Sequence, residues 1–309
     1  MTLAAFHLVA PRIPVGLAGD AANPGGTARA RAASQGPEMV RVGDAEAVFW
    51  PGDGVLAAAL AEAADRAGPW PGLPDSVRLP VRIIVARSDR QFDSLTAGRL
   101  PGWGAGAAFP GARTVVVQGR GDPFRILRHE LAHVALHAVV RRAPLWLDEG
   151  YASRAAGEWD RLDALRVNLA VAAGRVPTLR ALVAELRGSA PRAEAAYALA
   201  TTAVLLLERL GGERGLAPLM TALAATGDLD RALRASYQLS LEQFERRWHE
   251  DLRARYGWVS LLGSVGALWA VVLLTVGGLW YRRRRRDAAR RKALDDGWFQ
   301  VLDGHGPES

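Results

Sequence analysis

The chain has 309 residues, and half of them are hydrophobic, which is enough for one or two domains with a substantial core. It contains no cysteine, which excludes disulfides and thiolate metal sites, so histidine and carboxylate would have to hold any metal ion. The formal charge of +7 does not indicate nucleic-acid binding, because the arginines are spread along the chain and form no known nucleic-acid motif.

The first part of the chain is expected to build a small β-sheet. Residues 1–37, rich in Ala, Gly, Pro and Arg, are interpreted as a leader or disordered segment. An Ala-rich helix is predicted over residues 54–67, and a Gly-rich stretch occupies residues 103–108. Alternating apolar residues predict strands within 39–50, 77–86 and 113–118.

The most informative pattern is His-Glu-Leu-Ala-His at residues 129–133, in a helix predicted over residues 124–141. Two histidines four residues apart lie on one helix face, so both imidazoles can reach one metal ion. Glu130 stands where a carboxylate can act on a water at that metal without binding the metal itself. His137 continues the spacing, but it lies about 12 Å along the helix from His129, too far to share one ion. We interpret His137 as a surface residue or as a partner of a ligand.

A third ligand is expected from the segment Pro-Leu-Trp-Leu-Asp-Glu-Gly-Tyr-Ala at residues 144–152. A helix that begins near Pro144 would place one of two adjacent acids, Asp148 or Glu149, against the first helix, and the spacing alone leaves both open. Three protein ligands would leave a fourth position for water, which is typical of catalytic zinc sites.

Together, the two motifs resemble the gluzincin zinc peptidases, most closely the bacterial peptidase MA-like group, over about residues 40–256. The resemblance implies that Zn²⁺ is held by His129, His133 and Glu149, and that Asp148 lies at the helix start or beside a ligand. It also implies that Glu130 is the general base and acid.

The resemblance bears on three further positions. Gluzincins often use a Tyr or His from the helical half to stabilise the oxyanion, which makes Tyr197 a candidate catalytic residue; the alternative is a core tyrosine. In these enzymes an edge strand pairs with the substrate, so residues 103–108 are either that strand or a flexible loop. The chain departs from the thermolysin-like pattern at Ser153, where those enzymes carry an Asp that orients a histidine ligand.

The second half of the sequence is expected to be almost entirely helical. With the strands before it, this predicts an α+β domain over residues 38–256, in which a small N-terminal sheet and the active-site helix precede a mostly helical C-terminal half. Helices are predicted over residues 161–173, 178–187, 192–210, 216–225, 229–237 and 241–256.

Residues 257–281 are uncharged and would extend roughly 37 Å as a helix, which exceeds the hydrocarbon layer of about 30 Å. Trp258 and the pair Trp280-Tyr281 match the aromatic residues that anchor spans at membrane interfaces. We therefore predict one transmembrane helix, through which the protein contacts a lipid bilayer.

The topology follows from eight basic residues after this segment against four before it. The positive-inside rule predicts a cytoplasmic tail at residues 282–309 and an extracytoplasmic zinc domain. Residues 1–10 are apolar, but no basic residue precedes them and Pro11 interrupts the run, so an export signal is ambiguous. The rival topology is a C-terminal anchor with the domain in the cytoplasm.

The sequence thus predicts a membrane-anchored zinc metallopeptidase that acts on a peptide or protein substrate. An endopeptidase is preferred, because no acidic anchor for a free amine is recognisable. The alternative is a non-catalytic, membrane-tethered binding or assembly factor that keeps the zinc-site fold; Glu130 argues against it and Ser153 argues for it. An intramembrane protease does not fit, because arginines flank the motif helix on both sides.

Overall fold

The computed structural model describes residues 36–78, 80–98, 104–256, 266 and 269–286. The chain divides into two units, residues 1–256 and 257–309, and each is described by itself. All but the last two residues of the predicted leader at 1–37 lie outside the described residues.

A five-stranded mixed sheet forms the first layer of the first unit. Its spatial order is β1-β2-β3-β5-β4; the three central strands are parallel, and the two edge strands β1 and β4 run antiparallel to their neighbours. The strands are β1 Glu38–Val42, β2 Ala45–Phe49, β3 Val81–Ala86, β4 Gly106–Phe109 and β5 Thr114–Gln118.

Both faces of β5 and of most of β3 are buried, and the residues of these strands alternate between two apolar clusters. Ile83 and Val115, which are paired in register, face the main core with the helices of the domain. Ile84 and Val116 face a smaller cluster that contains Phe92. This two-sided burial explains why β3 and β5 are almost continuously apolar.

Ten α-helices complete the described part of this unit and make the predicted α+β architecture correct. They are α1 Gly54–Asp65, α2 Asp89–Leu95, α3 Pro123–Val139, α4 Leu145–Ala156, α5 Arg161–Ala172, α6 Leu179–Leu186, α7 Ala190–Leu210, α8 Ala217–Thr226, α9 Leu229–Tyr237 and α10 Leu241–Tyr256.

Local chemistry fixes the start of α3, the helix that carries the His-Glu-x-x-His pattern. Pro123 occupies a first-turn position, where its missing N–H is not needed. The Asp122 carboxylate caps the same end by accepting a hydrogen bond from the Arg125 N–H at 3.1 Å. Apolar side chains such as Leu127 and Leu136 are fully buried, so packing holds the helix in place.

The second motif helix, α4, is held between α3 and α7. Arg128 of α3 donates a 2.7 Å hydrogen bond to the carbonyl oxygen of Ala155 near the end of α4. On the other side, a Cβ added at Gly150 would lie 2.5 Å from the carbonyl oxygen of Ala200 in α7. Glycine after Glu149 therefore allows the two helix backbones to approach closely, which positions the preceding acid.

Two elements of the structure differ from the ranges that the sequence predicted. The strand predicted over residues 77–86 begins at Val81, directly after Pro80, which has no N–H to donate to a ladder. Of the described part of residues 103–108, Gly106 to Ala108 belong to the edge strand β4, which pairs with β5, whereas Gly104 and Ala105 lie before the strand. Helix α2 was not predicted.

In the second unit, residues 269–286 are helical and their side chains are exposed. The predicted transmembrane segment 257–281 lies partly outside the described residues, at 257–265 and 267–268. Within the described part of the chain, no helix combines the length and the apolar character that crossing a bilayer requires. The transmembrane helix therefore stays a prediction.

Candidate metal centre

His129 and His133 project from the same face of α3 into the interior. Both side chains are buried, and their ring centroids lie 5.0 Å apart. The Nε2 atom of each ring has no hydrogen-bond partner among the described residues. Because buried polar atoms are normally satisfied, two orphaned ring nitrogens beside one another indicate a place for a bound cation.

Glu149 of α4 completes a group of three. Its Oε2 atom lies 3.6 Å from the Nε2 atoms of both His129 and His133, and one potential ligand atom from each residue lies within 4.8 Å of the others. Tetrahedral zinc with bonds of about 2.1 Å would separate two ligand atoms by about 3.4 Å. The structure thus brings together the three predicted ligands in a cluster that can bind one metal ion.

Asp148 lies beside the cluster and supports it. Its carboxylate accepts hydrogen bonds from His133 Nδ1 at 2.7 Å and His137 Nε2 at 2.9 Å. Burial disfavours its charge, but the charge and hydrogen bond of His133, together with His137, hold the pKa of Asp148 below its usual range. His137 is therefore not a surface residue, since its side chain is 5% exposed, and it contacts the acid that supports a ligand rather than a ligand itself.

Glu158 supports the other histidine, and it was not predicted from the sequence. Helix α4 ends at Gly157, whose φ of +68° is the left-handed conformation that glycine favours, and the chain turns back toward α3. Glu158 Oε2 then lies 3.0 Å from His129 Nδ1. The available signal was a glutamate immediately after a helix-ending glycine, but its contact with His129 depends on the turn at that glycine.

The two carboxylates decide which ring nitrogens can bind a metal. A carboxylate that accepts from Nδ1–H fixes the tautomer in which Nε2 carries a lone pair, and it makes that nitrogen a stronger ligand. In the protein without an ion, burial opposes a charged ring, but Glu158, Glu149 and Glu130 outweigh burial and raise the pKa of His129 well above its usual value. The pocket therefore attracts positive charge.

Glu130 lies next to the cluster and is fully buried. Neither of its carboxylate oxygens has a hydrogen-bond partner among the described residues. Burial raises its pKa to about 7; the charges of Glu149 and Glu158 add to the shift, while His129 and His133 oppose it. A group that is half-protonated near neutral pH can both accept and donate a proton.

Strand β4 passes close to Glu130. A Cβ added at Gly106 would lie 2.5 Å from Glu130 Oε1 and 2.7 Å from Ile126 Cγ2. Only glycine leaves room for this carboxylate, so the edge of the sheet adjoins the proton-accepting group.

A cavity of about 440 Å³ adjoins the centre. Ser153, Glu158 and Tyr197 line it, together with residues of α3, α5 and α7. Burial, followed by the charges of Glu149 and Glu130, raises the pKa of Tyr197 well above its usual value. Its hydroxyl therefore keeps its proton at neutral pH, and the residue lies on the wall of a space that can receive a substrate.

A family model, that of the Peptidase MA superfamily, matches residues 76–254, which is more than half of the sequence. The match includes α3, α4 and α7 and thus every residue of the centre, while the resemblance expected for residues 40–75 lies outside it. No curated protein matches the chain.

Proposed function

The chain belongs to the Peptidase MA superfamily, and on that premise we propose that it is a zinc-dependent metallopeptidase that hydrolyses peptide bonds. The observation that carries the proposal is the buried group of His129, His133 and Glu149, with orphaned Nε2 atoms, next to the unpartnered carboxyl of Glu130. A purely structural metal site has no use for that additional acid.

Zinc is the proposed ion, because two imidazoles and one carboxylate are a ligand set of catalytic zinc sites, and the absence of cysteine excludes thiolate alternatives. When bound, zinc would act as a Lewis acid toward a carbonyl oxygen and lower the pKa of a water molecule to about 7.

Glu130 is proposed as the residue that moves the proton. It takes a proton from the attacking water, and it later gives that proton to the nitrogen of the leaving amine. In the metal-free protein, burial raises the pKa of Glu130 to about 7, so this carboxyl can hold a proton near neutral pH. General acid–base catalysis of this kind contributes about 10²- to 10⁴-fold in rate.

Tyr197 is proposed as the hydrogen-bond donor to the oxyanion that forms at the carbonyl. The raised pKa keeps its hydroxyl protonated, and the residue lines the cavity beside the centre. A peptide is proposed to pair with β4, which is the edge strand next to Glu130 and has a neighbouring strand on one side only among the described residues.

The main argument for the alternative function, a non-catalytic binding or assembly factor, no longer applies. It drew on Ser153, which replaces the carboxylate that orients a histidine ligand in the thermolysin-like pattern. Glu158 now supplies a carboxylate to His129 at 3.0 Å, and Asp148 supplies one to His133 at 2.7 Å. Both histidines have the support that an active centre needs.

We further propose that residues 257–281 tether the enzyme to a membrane, with the tail in the cytoplasm and the domain on the other side. The support is the uncharged, aromatic-flanked sequence and the basic residues that follow it. Extraction of the full chain from membranes should require detergent, and protease added outside sealed cells should reach the domain but not the tail. Release by salt alone would contradict the tether.

The decisive test of the activity combines metal content with peptide cleavage for the full chain in detergent. Wild type is expected to bind one zinc ion and to cleave members of a broad quenched-peptide library, whereas Glu130→Gln should keep the zinc and lose cleavage by about 10²-fold or more. A zinc-loaded wild type that cleaves no peptide would contradict the peptidase function. Unchanged zinc content in His129→Ala would contradict the ligand set.

A further inference from the structure

The segment after Glu149 places two polar residues near His129. Ser153, four residues after Glu149, occupies the position where the thermolysin-like pattern has an aspartate. Its carbonyl oxygen accepts the Glu158 N–H at 3.0 Å, and its side chain is close enough to the Glu158 carboxylate to help lower the pKa of that acid. Glu158 in turn bonds His129 Nδ1 at 3.0 Å. Position 153 thus reaches the histidine through a second side chain.

We propose that Glu158 is the positioning residue of His129, and that it replaces a carboxylate at position 153 with one supplied from beyond the end of α4. The inference rests on the proposed metal centre, but it does not depend on peptide cleavage.

The turn at Gly157 makes this replacement possible. The Glu158 N–H bonds back to residue 153 across five positions, so the side chain of Glu158 starts beside the last turn of α4. The Ser153 hydroxyl lies close enough to the Glu158 carboxylate to stabilise its charge. A serine is short enough to leave this space free, whereas an aspartate at 153 would bring a second negative charge into it.

The electrostatics agree with a fixed carboxylate. Burial would raise the pKa of Glu158, but the charge and hydrogen bond of His129, followed by the side chain of Ser153, outweigh burial and lower it. Because Glu158 Oε2 lies 3.0 Å from Nδ1 of His129, the ring's Nδ1–H faces this carboxylate, which leaves Nε2 free for the metal.

Glu158 differs from Asp148 in its surroundings. Its side chain is 20% exposed, and it lines the cavity of about 440 Å³ together with Tyr197, whereas the side chain of Asp148 is 3% exposed. The carboxylate that orients His129 is thus part of the surface that a substrate would contact.

The test measures metal binding by the full chain rather than activity alone. Zinc affinity would be obtained by competition with a chromophoric chelator, and ligand geometry from the visible absorption of the cobalt-loaded protein. Glu158→Ala is expected to lower zinc affinity by about 10- to 100-fold and to change the cobalt spectrum. Glu158→Gln, which keeps a hydrogen-bond acceptor but loses the charge, should lose less.

A double variant tests the replacement directly. Adding Ser153→Asp to Glu158→Ala should restore zinc affinity to within about threefold of wild type, because a carboxylate returns to the vicinity of His129. Glu194→Gln is the matched control: Glu194 is an acid of the same cavity that pairs with Arg166, and its loss should leave zinc affinity and the cobalt spectrum unchanged.

Three results would overturn the inference: unchanged zinc affinity in both Glu158 variants, an unchanged cobalt spectrum in Glu158→Ala, or no gain from Ser153→Asp in that background. The Gln variant, which preserves side-chain volume, decides the matter if Glu158→Ala does not fold. A wild type that binds zinc without cleaving peptides would contradict the proposed function and leave the role of Glu158 standing.

Discussion

His133 and His129 each bond a carboxylate through Nδ1, yet the two carboxylates come from different parts of the chain and have different surroundings. Asp148 precedes Glu149 within α4, is almost fully buried and also bonds His137. Glu158 follows the end of the same helix and borders the cavity. One side of the centre is therefore built into the core, and the other borders the cavity.

This difference separates the contribution of a supporting carboxylate to folding stability from its contribution to metal binding. The enclosed side should contribute mainly to folding stability, because its charges have no access to water and depend on one another. The side at the cavity should contribute mainly to metal binding and substrate contact, because solvent can partly replace a lost partner there.

The largest expected effect is that of Asp148→Ala. Removing one member of a buried charged group leaves two histidines without their acceptor, and we expect the metal-free protein to lose about 3–5 kcal/mol of stability at pH 7. Glu158→Ala should lose only about 1–2 kcal/mol, since its side chain is 20% exposed. Urea unfolding with a chelator present measures both, and Asp148→Asn, which keeps an acceptor, is the matched control. Equal losses for the two alanine variants would contradict the comparison.

Glu130 provides a second test, because its pKa shifts in the opposite direction to those of the two supporting carboxylates. The pKa of Glu130 is raised from 4.5 to about 7 by burial. The folded protein therefore binds this proton more tightly than the unfolded chain, so the stability from this group is fully present below pH 4.5 and is lost as the pH rises through about 7.

Replacing Glu130 with glutamine keeps a neutral side chain at every pH. In the metal-free protein, Glu130→Gln should stabilise the fold by about 2–3 kcal/mol more at pH 8 than at pH 5. Asp148 and Glu158 have lowered pKa values, so they stabilise the fold at pH values above the ordinary pKa of a carboxyl group. Wild type and Glu130→Gln both contain these two acids, so their contribution cancels in the difference between the two proteins. Parallel urea unfolding curves at the two pH values measure the difference. A stability gain that is the same at both would show that Glu130 is not neutralised by burial.

Strand β4 of the sheet also borders the centre, because Gly106 lies against Glu130. A substitution at Gly106 tests whether the position of the Glu130 carboxylate depends on this close contact. A Cβ in Gly106→Ala would lie 2.5 Å from Glu130 Oε1, so the Glu130 side chain would have to move, and the other side chain nearest to it is that of Ile126. Zinc content should stay at one ion, and kcat should fall by about 10²-fold, as expected when a reacting group moves by about 1 Å. Gly111→Ala is the control, because an added Cβ there meets nothing within 4 Å. Loss of zinc together with kcat would contradict a local effect on Glu130.

Patterns within one element were predictable, whereas contacts made by turns and crossings were not. The four-residue spacing placed His129 and His133 on one face, and the alternation of apolar residues located the strands. Helix α2 has seven residues, too few to show a periodic pattern. Strand β4 consists mostly of small residues with weak strand preference and exists because β5 pairs with it.

Glu158, the support of His129, was missed for a similar reason. Glu158 is 29 residues from His129, and the contact exists only because the chain reverses at Gly157. The bond between His137 and Asp148 exists because α4 crosses α3 at that turn of the helix. The choice of Glu149 over Asp148 came from the family resemblance, and the distances to both histidines agree with it.

The smallest expected effect comes from His137, the outermost member of the enclosed side. His137→Ala removes one of the two hydrogen bonds of a buried carboxylate, so it should lower stability by about 1–2 kcal/mol. Because Asp148 still bonds His133 directly, zinc affinity should fall by less than about 10-fold. His249→Ala, which removes a 3.1 Å bond to the carbonyl of Pro177 far from the centre in sequence, is the matched control for loss of a histidine. If His137→Ala lowered zinc affinity as much as Glu158→Ala, the enclosed side would contribute to metal binding as strongly as the side at the cavity. The proposal that the enclosed side contributes mainly to stability would then be wrong.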